Sequence, residues 1–322
     1  MKKASGFILL TLSLSCASAY GETSQDEQQL EAGDPALVES SVTVSNADRA
    51  FSAFQRGQYL TAFQLALPEA QAGDDAAQTL IAELYERGLG IAQDQKEAAR
   101  WYEIAANSGN REAQFAYGLK LLEGTNLEKD VERGLEMMKA AAEAGHPTAM
   151  FNYATFQINQ RPTSATYRRV LPMLEKAAEY RLADAYYSLA KIYDEGLATK
   201  INDPEKGMFW LEKAASAGID TAQVELAIKL LKNPKDEKDR VRAFNLFKVA
   251  ANQGNIIAQN RLAHMLFDGV GTDVSEVEAA KWHILASRAG RSDFDLDRYM
   301  DALPLDVRQQ ALMQANRWPS SN

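Results

Sequence analysis

The sequence predicts an all-α solenoid of stacked antiparallel helix pairs, and three observations carry that prediction. First, the tail Ala-Ala-x-x-Gly of "WYEIAANSG" (101–109) returns along the chain. It ends again at Gly145, Gly218 and Gly254, with weaker echoes at Gly73 and Gly290. "AAEYR" places Arg181 where one glycine falls due, and the intervals are then 36, 36, 36, 37, 36 and 36 residues. Chance does not give six spacings that agree within one residue, and periods of this size mark repeat architectures. Second, large and small residues recur inside each unit at helical spacing. Third, glycines stand where helices need a left-handed end.

The elements follow in chain order. Residues 1–19, "MKKASGFILLTLSLSCASA", carry Lys2 and Lys3, then an apolar run from Phe7, then small residues. That order reads as a secretory signal peptide cut after Ala19, with an apolar run too short to anchor a chain in a bilayer. It predicts a periplasmic or secreted protein. Cys16 is the sole cysteine, and a lipid anchor on it would want leucine where Ser13 stands, so a lipoprotein is the lesser reading. Cleavage would leave no cysteine, and stability would come from packing without disulfides.

Residues 20–46 hold Glu22, Asp26, Glu27, Glu31, Asp34 and Glu39 and no basic residue, which predicts a disordered acidic leader. The net charge is −9, and −11 once Lys2 and Lys3 are removed. No basic block stands out, which argues against a nucleic-acid partner, whose phosphates demand clustered Lys and Arg. Residues 47–73 read as an incomplete leading helix pair that caps the array.

Each repeat between 74 and 290 aligns on an alanine: Ala77, Ala113, Ala149, Ala185, Ala222 and Ala258. Four places on stand Ile81, Tyr117, Tyr153, Leu189, Leu226 and Leu262, followed at once by Ala or Gly. Eight places on, five of the six residues are Tyr or Leu, and Gln157 is the exception. Spacings of four and eight with a small residue between describe one helix face meeting another closely. Eleven places on, Gly88, Gly124, Gly196, Gly269 and Asn233 should end the first helix. A second helix follows, built on Trp101, Met137, Met173, Trp210, Leu246 and Trp282. A lone pair cannot cover both faces, so the pairs stack, each touching its neighbours. Residues 291–322 read as a closing cap, with Pro304 at a helix start and Leu305, Ala311, Leu312 and Trp318 facing inward.

The run "AQTLIAELYERGLGIAQDQKEAARWYEIAANSG" (77–109) resembles the Sel-one-like repeat family, relatives of the tetratricopeptide repeats. Ala-Gln, the small residue, Gly-x-Gly, Asp, Trp-Tyr, Ala-Ala and Gly are all present, and 258–290 repeats them with "GVGTD" and "KWHILASRAG". The resemblance implies a right-handed α-solenoid and a non-enzymatic scaffold or adaptor that needs no cofactor. Exported members imply partners among envelope proteins, either a membrane sensor restrained in exopolysaccharide control or assembly machinery. The third unit departs from the pattern, lacking both glycines and carrying Pro172, and the fifth has "KNPKDEKD" in its loop.

The candidate chemistry is thin. "GLGIAQ" has neither a third glycine nor a preceding strand, so it makes a helix cap and no phosphate cradle. Ser188 stands three places before Lys191, as in penicillin-binding enzymes, but no Ser-Asp-Asn or Lys-Thr-Gly accompanies it. A cell-wall binder or hydrolase, acting on peptidoglycan or a β-lactam, is therefore the alternative reading. "DFDLDRYMDALP" lacks the glycine and glutamate of a calcium loop. His146, His264 and His283 have no metal-ligand spacing.

What remains is surface. Two and six places after the anchor alanines, a row of first-helix side chains should point away from the seam, toward the inner side of the array. Phe115, Leu119, Phe151, Tyr187, Lys191, Val224, Ile228 and His264 form the candidate partner-binding stripe. Its apolar centre suits a helix or an extended peptide. The competing expectation is that these side chains pack between adjacent first helices.

Overall fold

The structure, a computed structural model, describes residues 45–124 and 126–318. The expected signal peptide, Cys16 and nearly all of the acidic leader lie outside the described residues. Among the described residues there are sixteen α-helices and no strand, and from α1 to α14 each packs mainly on its neighbours in sequence. Helices α1 (Asn46–Gln55) and α2 (Tyr59–Gln71) form the leading pair. The first three repeats are α3 (Asp75–Arg87) with α4 (Gln95–Asn107), α5 (Arg111–Glu123) with α6 (Val131–Glu143), and α7 (Pro147–Gln160) with α8 (Ser164–Glu179). The next three are α9 (Ala183–Asp194) with α10 (Pro204–Ser216), α11 (Asp220–Lys232) with α12 (Glu237–Asn252), and α13 (Ile256–Asp268) with α14 (Glu276–Arg288). Helices α15 (Phe294–Ala302) and α16 (Leu305–Asn316) close the chain.

The recurrent alanines have a structural role. Each first helix begins just after the anchor place, and in four of the six the residue between caps the anchor alanine, while Leu182 and Ile219 supply no side-chain cap. Ala77 N–H donates to Asp74 Oδ1 at 2.7 Å, Ala113 to Asn110 at 3.0 Å and Ala258 to Asn255 at 3.0 Å. At Ala149 the acceptor is His146 Nδ1, 3.1 Å away. Burial, then Arg111, lowers the pKa of His146 against the pull of Glu112. The neutral ring is the form that can accept. The next residue, glutamine in four repeats, reaches back to the preceding second helix: Gln78 Nε2 donates to Ala70 O, Gln114 to Ala106 O, Gln223 to Ala215 O and Gln259 to Ala251 O. Helix ends otherwise leave such carbonyls and N–H groups without partners.

The anchor glycine is required by its backbone alone. Gly109 has φ +98, yet a Cβ there would meet nothing within 4 Å. Arg181 holds the same place at φ +62 and is exposed. Gly90 is different, because a Cβ there would lie 2.6 Å from Leu60 N, so the loop after α3 seats directly on the start of α2.

Several expectations are corrected. On the second helices the deepest side chain stands one place later than predicted: Tyr102, Met138, Leu174, Leu211 and Phe247 are buried while Trp101, Met137, Met173, Trp210 and Leu246 are half-buried. In α14 both Trp282 and His283 are buried. Asn233 is not left-handed, having φ −142 and ψ 71. The loops after α7 and α11 are accordingly short, and α8 and α12 begin a turn early. Pro172 sits exposed within α8 without ending it. Leu305 and Leu312 do not face inward, being 63% and 45% exposed. Helix α16 lies on α14 through Ala311 and Val307, with Ala315 also buried, while Trp318 meets the Trp282 ring at 4.9 Å.

Thermal or urea unfolding checks the glycine argument. Arg181→Gly should stabilise the chain by about 0.5–1 kcal/mol, since a left-handed non-glycine residue is strained. Gly109→Ala should cost about 1 kcal/mol, and Gly90→Ala more, because a steric clash adds to the strain.

Candidate interaction surface

The predicted stripe is a row on the first helices, and four of its eight members, Phe115, Tyr187, Lys191 and His264, reach along the array to the next unit. Phe115 of α5 stacks on the His146 ring at the start of α7, with centroids 4.3 Å apart and planes 26° apart. Leu119 and Phe151 are half-buried against the core shared by the second to fourth repeats. Tyr187 of α9 donates its hydroxyl to Glu225 Oε1 of α11 at 2.7 Å. Burial, reinforced by that carboxylate, pushes the Tyr187 phenol up to about 12. Lys191 pairs with Glu195 at 2.8 Å and with Glu225 at 3.7 Å. Val224 is only 5% exposed and presents no surface to a partner, whereas Ile228 is 43% exposed. His264 Nε2 lies 2.9 Å from Asp293 Oδ2, which also accepts from Asn260 Nδ2 at 3.0 Å.

Two readings of chemistry lose their footing in this geometry. The Lys191 ammonium faces two carboxylates and its pKa is raised, first by the bond to Glu195. It is held protonated, the opposite of what a base for Ser188 requires. The "DFDLDRYMDALP" stretch forms α15, where Asp293 caps Leu296 N–H and Asp297 Oδ1 lies 2.8 Å from the buried His283 Nε2. Among the described residues no group of three or more His, Cys, Asp or Glu could hold a metal ion.

Residue patterns alone did not reveal the ion pairs that stitch two of the repeat interfaces. Lys120 pairs with Glu86 and Arg133 with Glu103 between the first and second repeats. Lys229 pairs with Asp194 at 2.9 Å and Arg242 with Glu212 at 2.8 Å, in the same register, between the fourth and fifth. Elsewhere those first-helix places are apolar: Leu122 and Phe156, Ile158 and Ile192, Leu231 and Met265. A charge coincidence 35 residues apart is a signal that a search by repeat register could find.

Comparison with known proteins agrees with this architecture. Residues 75–110, 111–146, 177–219, 221–255 and 256–290 each match the Sel1 repeat. The chain belongs to the Sel1 repeat family. The segment 147–176, the divergent third unit, goes unmatched although it forms α7 and α8. A Sel1 repeat protein from Oxalobacter formigenes is 28% identical with a TM-score of 0.64, covering 78% of this chain and 98% of that one. A protective antigen present in uropathogenic Escherichia coli strains, with an SLR fold, is 22% identical with a TM-score of 0.64, covering 84% and 68%. No curated protein matches the sequence. Sel1 repeat proteins are generally non-catalytic scaffolds for protein–protein interaction. No helix among the described residues is long and apolar enough to cross a membrane.

Asp293 should prove the hinge pin of the closing pair. Burial alone would raise its carboxyl, but bonds from Asn260, His264 and Leu296 N–H outweigh this and hold it well below the usual carboxylate range. A depressed folded-state pKa gives stability that is present above the ordinary carboxylate range, declines as pH falls below it, and is gone once pH has fallen through the depressed value. Asp293→Ala should therefore cost about 1–2 kcal/mol at neutral pH through the lost cap and hydrogen bonds. The difference from wild type should shrink on acidification, read from Trp282 and Trp318 fluorescence during unfolding.

Proposed function

We propose that this chain is an exported scaffold that holds a protein of the bacterial envelope on its first-helix row, restraining a membrane sensor as a regulatory adaptor. The observation that carries the reading is the surface around Ile228. There an exposed aliphatic side chain lies one turn beyond buried Val224, on the helix whose Glu225 binds the half-buried Tyr187 and the Lys191 ammonium. Apolar contact beside fixed polar groups is the composition of an interface anchor. The rest of the row is committed to holding the array together, so a partner would meet a pre-shaped strip and pay little ordering cost. Export rests on the order of charge, apolar run and small residues in 1–19. The sensor role rests on resemblance to exported relatives.

A photo-crosslinking residue at position 228, with a control at exposed Val131 on a second helix, tests this in intact cells. The expected result is one discrete adduct with an envelope protein from position 228 and none from 131. Equal labelling at both positions, or none at 228 in a well-expressed protein, would contradict it.

A further inference from the structure

Helix α12 departs from most other second helices in a way that opens a groove. It begins 15 residues after its anchor alanine, whereas α4, α6, α10 and α14 begin 18 or 19 after theirs. The loop of the sixth repeat braces the added turn, since a Cβ on Gly271 would come within 2.4 Å of Arg240 O. Between α12, the end of α10 and the start of α11 lies a groove of about 590 Å³. Its lining includes Ala215 and Leu246, with Val241 and Val249 exposed by 42% and 46%. Gln223, only 4% exposed, also lines it. Its Nε2 donates to Ala215 O at 3.1 Å, while its Oε1, like those of Gln78 and Gln114, accepts no hydrogen bond among the described residues.

The groove lies beside a local excess of basic side chains, although Glu237 also lines it. Residues 229–248 carry seven basic and three acidic side chains in a protein of net charge −9. Arg242 is matched by Glu212 and Arg240 by Glu237, but Lys238 on the rim and Lys248 nearby form no ion pair among the described residues. The corresponding groove between the first two repeats is lined by Asp130, Glu132 and Glu136 around Arg133. Glu132 and Glu136 stand in the register of Val241 and Asn245, so the groove of the fifth repeat is more apolar than that of the second, while in the sixth repeat Val277, in the register of Val241, packs with Leu303 and Ala311.

We propose that this groove docks an acidic, apolar peptide segment of a partner protein, at a second surface distinct from the first-helix row. Apolar side chains of the segment seat on Val241, Leu246 and Val249, and a carboxylate faces Lys238. The inference rests on the scaffold reading only in taking a protein as partner.

The probe is a displayed library of random peptides, selected on the intact folded chain. Enriched peptides should pair apolar residues with Asp or Glu, and their binding should weaken with salt. Their affinity should fall about tenfold in Val249→Asp and in Lys238→Glu, and stay unchanged in Ile228→Ser. Both groove substitutions fall on exposed positions, and unchanged helical melting confirms their fold. Peptides that survive both groove variants but are lost on Ile228→Ser would overturn the groove and leave the scaffold reading standing. Enrichment of basic peptides, or of none, would also overturn the groove, while the crosslink at 228 decides the scaffold reading separately.

Discussion

The joint between the end of one second helix and the start of the next first helix is the constraint on which this array depends. Stacking buries both helix ends, and buried ends need partners for their orphan N–H and carbonyl groups. Three residues within six places solve the problem where all are present. A left-handed glycine turns the chain, the next side chain caps the anchor alanine, and a glutamine returns to the alanine carbonyl behind it, as in Gly109, Asn110 and Gln114. The alanine pair ahead of the glycine lets the backbones come close enough for that glutamine to reach.

Because each joint serves only its neighbours, the array is graded along its length. The apolar core runs through the second to fourth repeats and again from the fifth into the closing pair. At the first-to-second and fourth-to-fifth interfaces the clusters are smaller, around Tyr102 and Tyr117 and around Leu211 and Leu226. Ion pairs take over in part there. The exposed Arg133–Glu103 and Arg242–Glu212 pairs add little stability, and the partly buried Lys120–Glu86 and Lys229–Asp194 pairs must offset the desolvation of their charges, so these two interfaces should be the weaker ones. The two grooves described above, lined by second-helix residues, also lie at them.

Much of this was legible in the sequence because it is local. Period, helix ends and the alanine anchors all follow from residues within one repeat, and the third unit folds despite its lost glycines because His146 and Thr163 supply caps. What was not legible depends on how one helix rotates against the next. The one-place shift from Trp101 to Tyr102 and the outward turn of Leu305 and Leu312 are of that kind. So is the fate of the stripe: spacing put Phe115, Tyr187 and His264 on one face, but only the stacking offset shows that they meet His146, Glu225 and Asp293. The groove was hidden for a related reason, since a loop shortened at Asn233 moves a helix start, and its effect appears only against the preceding repeat.

Native-state hydrogen exchange, resolved along the whole chain, tests the neighbour-only account most directly. It should show amides opening in blocks, with steps in protection between α4 and α5 and between α10 and α11. A single opening free energy shared by all the described helices would contradict it, and would mean that the array folds as one indivisible unit.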